Sequence, residues 1–544
     1  MRIRRRSSAP VDASTDWVGP YWLERQRDPD SPSFVAPAPD APPVNVTART
    51  WTPVGTIGSP PEAVVDQRGL VTPWRGGWSL DWWIGADDRW HLPSREVAVR
   101  QRLVDDVPIV ETAMRVPTGD AVQRVYAIHH DGGELLVVEI ENRSTLPFAV
   151  ALAVRPMNAE GLSTIARIEM PDDTTVIVDG RVAMLLPKRP SRVATSIGTD
   201  GDVAAVVLSG GAGETFTARR DPDGRASATF IYPLPHTATL RVCVPVTSKA
   251  RSMPASLPSV TQVAKGWGAH AAQGVRFELP DARLASIVAA NRAFLLLRDA
   301  RDGAAVLGAL DRYGHEREVA DALRADPIVA AVAEHWRLHR DRDLAIEVAP
   351  LVAHVAEQIA RRRTDPAGRR VLLDAAEVLA AAGEITGAQD ATRLAAEHPV
   401  ADPPDAAETL TSMLSRASAT WTWPDADRDV AAAVLSTVRD QLVRETDDGL
   451  ALCTTVPDTW LGQGIEVYDA PTHAGYLSYA VRWHGDRPAL LWDLVKHDGV
   501  GDVRITVPGL DPAWSSTDTK GDALLAPVAP PGNVSAVSLR RGAR

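Results

Sequence analysis

Hydrophobic and polar residues alternate along short segments of the first half of the chain. Three such segments, 122–128, 135–141 and 149–155, are separated by turn-forming residues such as Asp131-Gly132. A two-residue alternation is typical of half-buried β-strands, and Asp-Gly favours a tight hairpin turn. Similar segments continue to about residue 246. The pattern predicts an antiparallel β-sandwich over residues 46–250.

The pattern changes to helical periodicity in the second half of the chain. Residues 281–449 are rich in Ala and Leu and predict about nine helices with short connections, which favours consecutive antiparallel hairpins. Alternation returns after Gly449. We therefore expect a multidomain α and β protein with an N-terminal sandwich, a domain of helical hairpins and a small C-terminal β domain. The expected parts are a loosely ordered lead-in at 1–45, the sandwich at 46–250, a linker at 251–280, the helical domain at 281–449, the β segment at 450–530 and a tail at 531–544.

The amino-acid composition of the chain disfavours some classes of binding partner and some cellular locations. The net charge of −12 and the pI of about 5.6 disfavour binding to a phosphate backbone, so nucleic acid is not an expected partner. The two cysteines lie far apart, which argues against a secreted disulfide scaffold. The basic residues 2–6 are not followed by an apolar segment, and no run of about 18 apolar residues occurs. We expect a cytoplasmic protein without a membrane span.

The sequence contains no familiar motif for metal, nucleotide or serine-hydrolase chemistry. His129 and His130 are adjacent on a predicted strand and point to opposite faces, so they are poor joint ligands for a metal. We expect no cofactor and no metal. Sixteen tryptophans against six phenylalanines and seven tyrosines are unusual, and the rings suit either a core or a surface on which sugars stack.

Five segments resemble the glucoamylase-like, six-hairpin (α/α toroid) glycosidases and the glycogen-debranching-like proteins of actinobacteria. They are FLLLRDARD at 294–302, ALDRYGH at 309–315, WRLHRDRD at 336–343, DAPTHAG at 469–475 and YAVRWHG at 479–485. The resemblance implies an α-glycan as substrate and an Arg-Asp pair beside it. It also implies that the N-terminal sandwich is a super-sandwich and that the helical hairpins form an α/α barrel, or toroid. The helical part is shorter than a complete toroid of twelve helices, so we expect an incomplete barrel and a shortened, degenerate form of the family.

Inverting glycoside hydrolysis requires two carboxyl groups about 6.5–9.5 Å apart, one of them protonated. The candidates for this pair come from four segments of the second half: Asp299, Asp302, Glu334, Asp427 and Glu466. Candidate substrate-binding residues are Arg298, Trp336, Trp421, Trp423, Trp460 and Trp82. Each has a structural alternative, because carboxylates near residues 299 and 425 also suit helix starts and the tryptophans also suit a core.

Two functions from different classes therefore remain open. One is a carbohydrate-active, glycoside-hydrolase-like enzyme that hydrolyses an α-glycan with inversion. The other is a non-catalytic descendant, a pseudoenzyme that binds an oligo- or polysaccharide or a protein partner, with self-association also open. A purely structural role is a third alternative.

Overall fold

The computed structural model describes residues 17–36, 43–60, 63–216, 218–361, 364–400 and 408–528. The chain divides into two compact units. The first unit extends to Trp267 and includes Leu297–Ala300 and Arg416–Asp427, and the second consists of Gly268–Leu296, Arg301–Ser415 and the chain from Arg428 onward. The predicted tail at 531–544 and part of the predicted lead-in lie outside the described residues. The predicted domain boundaries remain predictions.

The first unit is built mainly from β-strands. Its strands are β1 (Thr52–Val54), β2 (Ala63–Val65), β3 (Val71–Thr72), β4 (Ser79–Gly85), β5 (Trp90–His91), β6 (Val99–Val104), β7 (Val107–Val116), β8 (Gly119–His130), β9 (Gly133–Asn142), β10 (Phe148–Arg155), β11 (Arg167–Glu169), β12 (Thr175–Val178), β13 (Arg181–Leu185), β14 (Arg192–Ser196), β15 (Arg219–Arg220), β16 (Ser227–Leu234) and β17 (Thr239–Pro245). Two short helices, α1 (Tyr21–Arg27) and α2 (Val203–Leu208), accompany them, and α3 (Val260–Ala271) follows.

These strands form two antiparallel sheets in the described part of the chain. One has the order β1-β2-β3-β4-β10-β16-β14, with β5 paired to β4, and the other has the order β15-β11-β12-β13-β17-β9-β8-β7-β6. Asp131 and Gly132 connect β8 to β9 with φ values of 49° and 74°. Two consecutive positive φ angles match the right-handed twist of the flanking strands, which is why Asp-Gly is favoured there.

A buried ion-pair triad lies inside the first unit. Nη1 of Arg155 is 3.1 Å from Oδ2 of Asp81, and Nη2 is 2.8 Å from Oδ2 of Asp202. The Asp202 carboxylate also accepts hydrogen bonds from the backbone N–H groups of Val18 and Ala204, which caps α2. Since every charge in this triad has a partner, the strands and α2 can bury it.

The second unit contains a helical region. Its helices are α4 (Ala282–Leu295), α5 (Ala304–Arg312), α6 (Glu316–Ala325), α7 (Val329–His339), α8 (Arg342–Ala360), α9 (Pro366–Ala382), α10 (Ile385–Ala396), α11 (Leu410–Ser415) and α12 (Arg428–Leu442). Helix α12 packs against α4 and α5, α7 packs against α5 and α9, and α9 also packs against α8 and α10. Helices α4, α8 and α9 begin at aspartates whose side chains accept a backbone hydrogen bond of the first turn.

The second unit also contains two smaller sheets in the described residues. One has the order β18-β21-β22-β23-β26, and the other has the order β19-β20-β24-β25. The strands are β18 (Arg276–Glu278), β19 (Val443–Thr446), β20 (Gly449–Leu452), β21 (Ile465–Thr472), β22 (Gly475–His484), β23 (Arg487–Lys496), β24 (Arg504–Val507), β25 (Asp511–Ser516) and β26 (Lys520–Leu524). The predicted architecture of N-terminal antiparallel sheets, helical hairpins and a C-terminal β region is confirmed. None of the described helices combines the length and apolar character needed to cross a membrane.

Candidate functional site

A cluster of titratable side chains surrounds Glu334 in the second unit. Nε of Arg312 lies 2.8 Å from Oε1 of Glu334, Nε2 of His473 lies 3.3 Å from Oε2, and Nη1 of Arg337 lies 3.8 Å from Oε2. Nη1 of Arg312 is also 4.0 Å from Oδ1 of Asp440. We call these five residues the Glu334 cluster. It combines hydrogen-bond donors and acceptors from distant parts of the chain.

Three helices and one connection between two strands position the Glu334 cluster. Arg312 is the last residue of α5, Glu334 and Arg337 lie one turn apart on α7, and Asp440 lies in the last turn of α12. His473 lies in the connection between β21 and β22. That connection is closed by Thr472, whose hydroxyl donates to the carbonyl of Gly475 at 2.6 Å.

Electrostatics keep Glu334 ionised. Burial raises the pKa of its carboxyl group, but the hydrogen bond with His473 and the charge of Arg312 outweigh burial, so the pKa lies far below its ordinary value. Asp440 behaves in the opposite way, because burial raises its pKa above the ordinary value despite the nearby charges of Arg312 and Arg439. The two carboxyl groups near Arg312 therefore differ in proton affinity.

Arg337 links the Glu334 cluster to α9. Its Nη2 is 2.6 Å from Oδ1 of Asp374, and its Nε is 2.8 Å from Oε2 of Glu377. Asp374 is buried, whereas about a third of the Glu377 side chain is exposed. Burial lowers the pKa of Arg337, but the two carboxylates outweigh it and raise the pKa above its ordinary value. Arg337 is therefore held in place by partners on its own helix and on α9.

A second group of polar residues, next to the Glu334 cluster in sequence, is formed by Asp311, His335 and His339. Nδ1 of His335 is 3.0 Å from Oδ1 of Asp311, and Nε2 of His339 is 2.9 Å from the same oxygen. We call these three residues the Asp311 triad. Burial lowers the pKa of His339, but its hydrogen bonds with Asp311 and Glu316 outweigh burial and raise the pKa to about 11.

Only one of the predicted catalytic carboxylates, Glu334, belongs to the Glu334 cluster. Asp302 forms a two-point ion pair with Arg428. Glu466, on β21, accepts hydrogen bonds from Tyr468 and from Arg482. The hydrogen bond from the Tyr468 hydroxyl contributes most to lowering the pKa of Glu466, and the hydrogen bond from Arg482 lowers it further. Asp299 and Asp427 lie in the segments Leu297–Ala300 and Arg416–Asp427 of the first unit.

None of the predicted substrate-binding residues belongs to the Glu334 cluster. Trp82, Trp423 and Trp460 are buried, and the indole N–H of Trp82 donates to the carbonyl of Arg68 at 3.0 Å. Trp336 is partly exposed, and the guanidinium carbon of Arg340 lies 5.2 Å from the centre of its ring. Arg298 and Trp421 are partly exposed residues of the first unit. Three of the five tryptophans thus pack into the interior, where the ring faces contact protein.

Arg312, Asp440 and His473 were not among the predicted site residues, and neither was the Asp311 triad. One signal was available for the triad, because His335 and His339 are four residues apart on a predicted helix and therefore share a face. His473 lies in one segment of the resemblance, DAPTHAG at 469–475, but no local pattern indicates its partner Glu334, which is 139 residues away in the sequence.

The sequence matches no protein-family model and no curated protein. Among solved structures, the chain is similar to a bacterial glucoamylase complexed with acarbose, at 10% identity and a TM-score of 0.42 over 67% of this chain and 68% of that one. It is also similar to the GH92 family glycosyl hydrolase ccman5, at 10% identity and a TM-score of 0.36 over 64% and 61% of the two chains. A third similar structure is a GH78 family rhamnosidase of Bacillus sp. GL1, at 10% identity and a TM-score of 0.29 over 66% and 52%.

All three similar structures are glycosidases, the class of protein that the segments of the resemblance also indicate.

Proposed function

We propose that the chain is a glycoside-hydrolase-like protein that binds an oligosaccharide at the Glu334 cluster without hydrolysing it. The observation that carries the proposal is the set of contacts around Glu334, where one carboxylate is paired with Arg312, His473 and Arg337. These ion pairs fix the donors and acceptors in place before any ligand arrives, and a preorganised polar site loses little entropy on binding.

The chemistry of the Glu334 cluster suits neutral polyhydroxyl ligands. A sugar hydroxyl donates one hydrogen bond and accepts others, so neighbouring carboxylates and guanidinium groups can satisfy both functions. Hydrogen bonds to charged groups are stronger than those between neutral groups. His473 and Asp440 are 35% and 41% exposed, so the cluster is open to solvent on one side. This exposure leaves polar side chains of the cluster accessible to a ligand from solvent.

Three of the predicted catalytic carboxylates are poorly suited to the role of general acid in hydrolysis. An inverting hydrolase needs a general acid whose pKa is raised, so that it is protonated when the glycosidic oxygen arrives. The pKa values of Glu334 and Glu466 are both lowered. Asp302 is occupied by Arg428. These three carboxylates are therefore better suited to holding charge than to donating a proton.

A second candidate function, inverting hydrolysis of an α-glycan, is favoured by one observation. The pKa values of Glu334 and Asp440 are shifted in opposite directions, and both residues contact Arg312. Environments that separate two carboxyl pKa values are the arrangement that acid–base catalysis requires. In this alternative, Asp440 protonates the leaving oxygen and Glu334 activates the attacking water.

Isothermal titration of the full chain tests the binding proposal. The probes are maltooligosaccharides, β-linked glucooligosaccharides and acarbose, which is the ligand in the similar glucoamylase structure. We expect His473→Gln and Glu334→Gln to weaken binding about 10- to 100-fold, because each removes a hydrogen bond to a charged group. The matched control is Glu466→Gln, which removes a carboxylate outside the cluster and should bind like the wild type. Binding of no oligosaccharide by folded wild type would overturn the proposal.

Release of reducing sugar separates the two candidate functions. Binding without turnover supports the proposal. Turnover that is abolished by both Asp440→Asn and Glu334→Gln, with an inverted anomeric product observed by NMR, would establish hydrolysis in its place. Circular dichroism of each variant verifies that the helices remain folded.

A further inference from the structure

The Asp311 triad has the geometry of a metal-ligand set. His335 and His339 lie one turn apart on α7, and each directs a ring nitrogen at Oδ1 of Asp311 on α5, at 3.0 and 2.9 Å. One donor atom from each of the three residues lies within 4.8 Å of the others. Zinc bonds of about 2.0–2.2 Å place neighbouring ligand atoms of a tetrahedron roughly 3.3 Å apart, so small movements would admit an ion.

The other nitrogen of each histidine ring is also held. Nε2 of His335 is 3.5 Å from Oδ2 of Asp341. Nδ1 of His339 is 3.0 Å from the hydroxyl oxygen of Tyr476 and 3.1 Å from Oε2 of Glu316. Histidines that bind metals usually donate the second N–H to a carboxylate or another acceptor, which fixes the ring and its tautomer. The surroundings of the Asp311 triad therefore match those of a metal centre as well as the ligands do.

Burial supports the same assignment. Asp311 is completely buried and His335 is 2% exposed. Two imidazoles and one carboxylate form a nitrogen-rich set that suits Zn²⁺ and other divalent ions of the first transition series better than Mg²⁺ or Ca²⁺. Three protein ligands also leave a fourth position of a tetrahedral ion for water.

A second group of potential ligands, His270, His315 and Glu318, is a weaker candidate. Nε2 of His315 lies 3.3 Å from Nη2 of Arg292, which is a cationic donor. A guanidinium group beside a ligand nitrogen repels a metal cation and occupies its lone pair. His270 instead pairs with Glu318 at 2.9 Å. These contacts make His270 a useful control residue.

We propose that the Asp311 triad binds one divalent transition-metal ion, with Oδ1 of Asp311, Nδ1 of His335 and Nε2 of His339 as ligands. Binding replaces the protons that join these atoms in the metal-free protein. The ion would tie α5 to α7. Two of its ligands, Asp311 and His335, are the direct sequence neighbours of the Glu334 cluster residues Arg312 and Glu334. The site is independent of whether the protein binds a glycan.

The experiment titrates Zn²⁺, and Co²⁺ as a spectroscopic probe, into full-length protein stripped with a chelator. We expect one equivalent to bind, with visible d–d absorption from Co²⁺ and an increase in the thermal midpoint. His335→Gln and His339→Gln should each abolish the absorption or weaken binding more than 100-fold. Tyr476→Phe keeps all three ligands and should weaken binding about 10-fold, as expected for a group that orients a ligand.

Two histidine variants serve as matched controls. His354 is exposed on α8, and His270 belongs to the weaker group. His354→Gln and His270→Gln should bind the ion like the wild type. The proposal fails if folded wild type binds no Zn²⁺ or Co²⁺, or if His335→Gln and His339→Gln retain wild-type affinity. Loss of binding in His270→Gln alone would move the site to the other group and would equally overturn the proposal.

Discussion

Asp302 and Arg428 form a two-point ion pair, with Nε of Arg428 2.5 Å from Oδ1 and Nη2 2.7 Å from Oδ2. The same guanidinium donates to the backbone carbonyls of Phe294 and Leu295 at 2.7 and 3.0 Å. Those carbonyls belong to the last turn of α4, whose acceptors have no partner within the helix. Arg428 therefore ties the start of α12 to the end of α4, and Asp302 supplies the counter-charge.

We expect Asp302→Ala to lower the free energy of unfolding by about 3 kcal/mol, because it leaves a largely buried guanidinium without its carboxylate. Chemical denaturation in urea measures the change. Asp390→Ala is the control, since Asp390 forms an exposed pair with Arg393 and its loss should cost less than about 0.5 kcal/mol. Oligosaccharide binding at the Glu334 cluster should be the same in both variants. Normal stability combined with lost turnover would instead assign Asp302 to catalysis.

We expect the buried carboxyl group of Asp66 to make the stability of the first unit depend on pH. Burial raises the pKa of its carboxyl group from 3.8 to about 6, although the backbone N–H groups of Arg68 and Leu70 donate to it. Between these two pKa values the native state binds a proton that the unfolded state has lost. The proton on Asp66 therefore adds about 3 kcal/mol to the free energy of unfolding below about pH 4. This contribution is lost as the pH rises through 6.

Asp66→Asn keeps the oxygen that accepts both backbone hydrogen bonds and removes the charge. The free energy of unfolding of this variant, measured relative to wild type, should therefore rise between about pH 4 and pH 7. A difference that is constant over this range would show that Asp66 titrates normally in the native state.

The hairpins and helices were predictable because they depend on local chemistry. Asp131-Gly132 indicated a tight turn, and the structure has the two positive φ angles there. About nine helices were expected between 281 and 449, and nine α-helices occur among the described residues from Ala282 to Leu442. Side-chain periodicity and capping residues act over a few positions, so a single sequence reveals them.

Most of the candidate site could not be predicted from the sequence. Glu334 was predicted because it is a carboxylate on a helix of the resembling region, but its partners Arg312 and His473 come from other elements. Tertiary packing decides which arginine pairs with which carboxylate. Since this chain contains 58 basic and 70 acidic residues, the sequence alone offers too many possible pairs to select one. Trp423 and Trp460 show the same limit, because a ring that could stack on a sugar is equally suited to a core, and both are buried.

Both thiols should be unreactive in the native protein. Burial raises the pKa of Cys243 to about 12 and that of Cys453 to about 11. The thiolate is the reactive form, and neither side chain is accessible. A colorimetric thiol reagent at about pH 8 should detect essentially no thiol in folded protein and two per chain after denaturation. Rapid labelling of one thiol in folded protein would contradict this prediction.

Gly475 controls the connection that carries His473. It begins β22 with φ +141°, and a Cβ atom there would overlap the backbone carbonyl of Val495 and approach Cα of Lys496 to 2.7 Å. Since the obstacle is backbone of the neighbouring strand β23, it cannot move without disrupting the pairing of β22 and β23. Gly475→Ala should therefore shift the connection and move His473 away from Glu334.

The matched control is Gly485, which also has a positive φ of 67°, but a Cβ atom added there would meet no other atom within 4 Å. Gly485→Ala should cost only the strain of a left-handed backbone, about 1 kcal/mol. Gly475→Ala should cost at least about 2 kcal/mol more, because overpacking against backbone adds to that strain. It should also weaken oligosaccharide binding, as His473→Gln does, whereas Gly485→Ala should leave binding unchanged. Equal stability and equal affinity in the two variants would show that the connection does not depend on Gly475 and that His473 is positioned by other contacts.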